Sequence, residues 1–155
     1  MMSNRYGRAL LAFTPALLLA AGAARAGVPN TQDGVAIKGY DPVAYFTQHQ
    51  AVKGSAAFQS GYDGATYWFA SAGDKALFEK EPAHYAPRYD GFCAFGAAQG
   101  HKADIDPTAF SIIGDQLYLN YSHDVQAQWK TDIPGYIAKA DQSWPEVSKS
   151  TEVAR

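Results

Sequence analysis

Two strand-like stretches, each split by a tight-turn dipeptide and each followed by a helical pattern, set the rhythm of this chain. In the first, Ala56 to Tyr62 and Ala65 to Phe69 flank Asp63-Gly64, a pair that accepts the positive φ values of a hairpin turn. Ser71 then offers a side-chain oxygen to an orphan N–H, and Asp74 places negative charge where the helix dipole favours it, so a helix is predicted from Ala72. Ala76, Leu77 and Phe78 form its apolar side and Lys75, Glu79 and Lys80 its wet side; Glu81-Pro82 stops it. In the second, Phe110 to Ile113 and Gln116 to Asn120 flank Gly114-Asp115, and Leu117 and Leu119 alternate with Tyr118 and Asn120, which predicts one buried face. Ser122 caps a helix through Val125 and Trp129 to Thr131. Pro134 opens a last helix, Gly135 to Ser143, in which Tyr136, Ile137 and Ala140, with Trp144 just beyond, recur at helical spacing.

The remaining segments are shorter. Val35 to Ile37 is an edge strand ending at Gly39, and Asp41-Pro42 starts one or two helical turns over Val43 to Phe46. Gln48 to Gly54 is a polar connector containing His49. Ala86-Pro87 breaks the chain, Asp90-Gly91 turns it, and Phe92 to Gln99 is a short buried helix. Asp106-Pro107 repeats the Asp-cap, Pro-first pattern and is expected to open one helical turn. With no βαβ rhythm and no internal repeat, the fold class is α+β: a small single domain whose antiparallel hairpins form a sheet with short helices packed on it. The expected boundaries are a cleaved signal peptide over 1–26, a polar lead over 27–34, the domain over 35–145 and a frayed tail over 146–155.

The signal peptide rests on Arg5 and Arg8, the apolar run Ala9 to Ala21, and the small-x-small site Ala24-Arg25-Ala26. The product is then periplasmic or secreted, and no second apolar run is long enough for a membrane span. Losing Arg5, Arg8 and Arg25 changes 13 basic against 15 acidic residues to 10 against 15, a net charge of −5. Basic residues are scattered singly among acids, which excludes nucleic acid as a partner. Cys93 is the only cysteine, so no internal disulfide forms, and 8 Phe, 10 Tyr and 3 Trp supply an aromatic core instead.

Asp41-Pro42-Val43, followed by Tyr67, Phe69, Ser71, Phe78, Pro82 and Tyr85 in register, resembles the YHS-domain proteins. Metal-handling members of that family carry cysteine at the positions that are Ala44, Ala70 and Asp74 here. The run continues through Gly91 to Phe95 and Leu117 to Tyr121, similar to the periplasmic, signal-peptide-bearing branch, and covers roughly Val35 to Trp144. The resemblance implies a metal-handling accessory role, with copper the most plausible cargo. Three missing thiolates mean that the family's own route to metal does not carry over.

From the residues alone, a metal would have to use Cys93 with His84 and His101, and His123 as an extra ligand. Thiolate plus imidazole suits copper or zinc. No two histidines stand three or four apart on a helix, and the absence of Cys-x-x-Cys-His excludes attached haem. Cys93 lies between Phe92, Ala94 and Phe95, an apolar setting that raises a thiol's pKa and makes it inert. No nucleophile motif supports an enzyme. Tyr40, Tyr45, Tyr62, Tyr67, Tyr85, Tyr89, Tyr118 and Tyr121 exceed what a small core pairs, so several should line a groove, expected near Cys93, for a small ligand or a peptide. Two functions follow: a metal-handling accessory protein, or a metal-free interaction module with an aromatic groove.

Overall fold

The computed structural model describes residues 27–155; the predicted signal peptide over 1–26 lies outside them. The fold is α+β. Strands β1 (Thr31–Gln32) and β2 (Val35–Ala36) pair antiparallel about Asp33-Gly34, so part of the expected polar lead is already sheet. Helix α1 (Ala44–Thr47) precedes the hairpin of β3 (Ser55–Tyr62) and β4 (Ala65–Phe69), whose turn residues Asp63 and Gly64 have φ of 47° and 82°. β2 joins β4 in parallel, giving a mixed sheet in the order β1-β2-β4-β3. Helices α2 (Ala72–Lys80) and α3 (Pro82–Tyr85) follow. After α4 (Ala94–Ala98) and β5 (Lys102–Ala103) comes the second hairpin, β6 (Asp106–Ile113) and β7 (Gln116–Asn120), a separate sheet turning at Gly114 and Asp115. Helices α5 (His123–Trp129) and α6 (Ile133–Val147) and strand β8 (Val153–Ala154) complete the chain.

The chain contains an internal repeat, against the expectation of none. Ile37-Lys38-Gly39 and Tyr89-Asp90-Gly91 are each three successive left-handed residues, with φ of 51°, 52° and 80° in one and 55°, 52° and 79° in the other. Each turn leads to a short helix, then a hairpin with a register shift at the same place, between Ser55 and Gln59 in one and between Asp106 and Phe110 in the other. Each hairpin then feeds a serine-capped helix: Ser71 accepts from the Asp74 N–H, Ser122 from the Val125 N–H. Backbone bonds repeat too. Asp41 N–H donates to the Val52 carbonyl as Cys93 N–H does to Ala103, and Tyr40 N–H to Ile37 as Phe92 N–H does to Tyr89. Phe78 and Trp129 are the buried aromatic anchors of α2 and α5. Few side chains match, so the repeat lives in backbone conformation and escapes a reading of residue types.

Several local expectations need correction. Only Phe78 buries itself from α2; Leu77 is 39% exposed and Ala76 is also exposed. Asp106 does not start a helix, because its Oδ1 accepts from the Thr108 N–H and hydroxyl, both at 2.8 Å, and this Asx turn opens the bulged strand β6 instead. Leu117, Tyr118, Leu119 and Asn120 are all buried, so β7 has no wet face. Leu117 and Leu119 belong to the larger core with Phe69, Phe78 and Tyr45, and Tyr118 to the smaller one with Trp129 and Tyr89. Helix α6 runs through Pro145 to Val147. Beyond it the tail is docked rather than frayed. Val153 and Ala154 pair in parallel with Lys102 and Ala103, and the buried Lys102 ammonium donates to the Ser148 and Ser150 carbonyls at 2.9 and 2.8 Å.

Leu117→Ala is expected to lower stability by about 3 kcal/mol in urea unfolding, since its methyls leave a cavity at a site with no solvent access. Leu77→Ala should change it by less than about 0.5 kcal/mol. Equal losses would contradict the one-residue anchoring of α2.

Candidate functional site

The first repeat brings the resemblance's three cysteine positions together, around Asp41. This carboxyl group is fully buried. Its Oδ1 accepts from the Val43 and Ala44 N–H groups at 2.8 and 3.4 Å, and its Oδ2 from the Ala70 N–H at 2.8 Å. The Asp74 carboxyl, in the first turn of α2, lies near enough to act on its charge. Asp41 thus ties the start of α1 to the end of β4 and the start of α2. Burial, with the Asp74 carboxyl beside it, pushes the Asp41 pKa up to about 6, although the Ala70 and Val43 N–H groups pull the other way. Where thiolates would converge there are two methyl groups and a pair of carboxyls whose buried member already serves three backbone donors. Such a donor set does not fit a soft ion.

Cys93 occupies the equivalent niche of the second repeat. Its sulfur accepts from the Gly96 and Tyr121 N–H groups at 3.4 and 3.3 Å and lies 3.7 Å from Asn120 Oδ1, to which the thiol donates. Asn120 Oδ1 also accepts from the Phe95 N–H at 3.3 Å. The side chain caps α4 and fastens it to the end of β7. Burial raises the thiol's pKa, which keeps it protonated and unreactive near neutral pH.

The histidines do not join it. His84 stacks near Phe46 and Tyr85, with ring centroids 4.9 and 4.6 Å away, and its Nδ1 is 3.5 Å from Asp115 Oδ2 at the tip of the second hairpin. His123 Nε2 is 2.9 Å from the Thr108 hydroxyl beside the Asx turn. His101 is exposed in the loop between α4 and β5. Among the described residues no three His, Cys, Asp or Glu side chains are grouped to hold an ion.

The tyrosines do line a cleft, away from Cys93. It encloses about 250 Å³ between the tip of the first hairpin and the left-handed turn of the second repeat, with Tyr62, Tyr67, Tyr89 and Trp144 in its walls and Arg88 and Asp90 beside them. Sequence reasoning registered Asp90-Gly91 only as a turn, and assigned Arg88 and Trp144 no role in a site. The signal available was the surplus of tyrosines. Which of them share a wall depends on contacts between the repeats.

A family model described as YHS domain matches residues 43–89, from the start of the first repeat's helix to the turn that opens the second. Comparison with curated proteins and with solved structures found no match.

Asp41 binds its proton more tightly folded than unfolded, where a carboxylate titrates near 4. Its contribution to stability is therefore complete below about pH 4 and is lost as the pH rises through about 6. Asp74→Asn removes the neighbouring charge and offers a donor, so the decline in urea-unfolding stability between these limits should shrink relative to wild type. An unchanged pH slope would show that Asp74 does not act on Asp41.

Proposed function

We propose that this YHS-type chain is an exported, non-enzymatic accessory module that works without a metal of its own and recognises its ligand or partner through its aromatic surface. One observation carries the reading: the niche is built twice, and in both copies the side chain at its centre spends its acceptor capacity on backbone N–H groups. A metal ligand needs a free lone pair directed at a shared point. Asp41 and Cys93 direct theirs at backbone N–H groups and at no point shared with each other, and His84, His101 and His123 lie elsewhere. The arginine-flanked apolar run with Ala24-Arg25-Ala26 supports export to the periplasm or beyond.

The test is a copper(I) titration against a competing chelator, with wild type beside Cys93→Ser. Neither should take copper from the chelator, and iodoacetamide should label Cys93 only after denaturation. Stoichiometric binding that disappears in Cys93→Ser would overturn the metal-free reading and establish a thiolate site.

A further inference from the structure

We infer that the cleft between the first hairpin and the second repeat's turn binds a small organic ammonium ion, with Asp90 as its anionic anchor and the rings of Tyr62, Tyr67, Tyr89 and Trp144 as its walls. The inference deepens the binding-module reading and rests on it.

The strongest observation is a pair of unmade hydrogen bonds. Asp90 Oδ2 and Arg88 Nε are both closed to water and have no partner among the described residues, and both residues line the cleft. An unsatisfied buried polar atom destabilises the fold, more so when charged, so two together at one cavity need an explanation. The other repeat supplies an internal control. Its turn has the same left-handed backbone and places Lys38 where the second has Asp90, and Lys38 Nζ has found Asp104 Oδ2 at 2.9 Å. The turn geometry alone therefore does not leave its central side chain without a partner. A ligand that reaches the cleft floor recovers what the free fold leaves unmade.

Charge and ring chemistry select the ligand. The Arg88 guanidinium is held by Asp141 Oδ1 at 2.9 Å, and the His84 ring faces Asp115, so the basic side chains of the cleft wall are already engaged. Asp63, at the hairpin tip, also lines the cleft and adds a second negative charge that acts on Asp90. An anionic, aromatic-walled space favours a cation, because ring faces attract it and the carboxylate accepts its N–H. The volume of about 250 Å³ lies just below the range of drug-sized sites and suits a ligand of one ring or a short chain.

Phenethylammonium is a suitable probe, with 2-phenylethanol as its uncharged counterpart and 3-phenylpropionate as its anionic one. In amide and indole NMR titrations of the purified protein, the amine should give saturable shifts at the Trp144 indole and at residues 88–91, and the two counterparts should give none. Asp90→Asn should weaken the amine about tenfold or more, and Asp63→Asn, at an exposed tip that does not support the core, a few-fold. Absence of saturable amine shifts, equal binding of the alcohol, or unchanged affinity in both variants would each overturn the inference. Failure here with no copper uptake removes the ammonium site and leaves a module for other partners; copper uptake removes the module reading itself.

Discussion

The fold depends on a strand that has no outside. β7 divides the protein's apolar interior into two cores, sending Leu117 and Leu119 into one and Tyr118 into the other. Its last residue, Asn120, takes the Cys93 thiol and the Phe95 N–H and so closes α4 onto the strand. Everything around β7 is placed relative to it. Arg88, which flanks the aromatic cleft, donates its backbone N–H to the Leu117 carbonyl. Stability and the position of the candidate site thus share one element.

Much of the local structure was legible because it follows from chemistry within a few residues. The turn dipeptides Asp63-Gly64 and Gly114-Asp115 and the caps Ser71 and Ser122 all act as their types predict. Asp106 failed for an instructive reason: an Asx turn is common to helix starts and bulged strands, and the Thr108 hydroxyl decided between them. The alternation in β7 suggested one dry face because period two reports chemistry, and Tyr118 is both aromatic and polar. Its burial is fixed by Trp129, whose ring centroid is 5.5 Å away.

The site was less legible because its geometry is made between repeats. The resemblance correctly grouped positions 44, 70 and 74, which the structure gathers around Asp41. It placed Cys93 in the run Gly91 to Phe95 without a role, and that role becomes intelligible as the counterpart of Asp41. The same backbone demand, N–H groups at a helix start and at the residue after a strand, is met by a carboxylate in one copy and a thiol in the other. Histidine and cysteine types suggested a metal centre, but type alone does not create convergence. Tyr62 and Tyr67 come from one repeat and Tyr89 and Trp144 from the other, a pairing that no spacing along the chain announces.

The pairing of β5 with β8 bears on the order of events during synthesis. Lys102 and Ala103 wait for Val153 and Ala154 to complete their strand, and the Lys102 ammonium waits for the Ser148 and Ser150 carbonyls. The first repeat also leans on distant partners, the Tyr45 hydroxyl donating to the Pro107 carbonyl and Lys38 pairing with Asp104. Contacts of such long separation form late and slowly. Neither repeat satisfies its own buried donors, since the Tyr45 hydroxyl needs the Pro107 carbonyl and the Lys102 ammonium those of Ser148 and Ser150, so each half is complete only against the other parts of the fold.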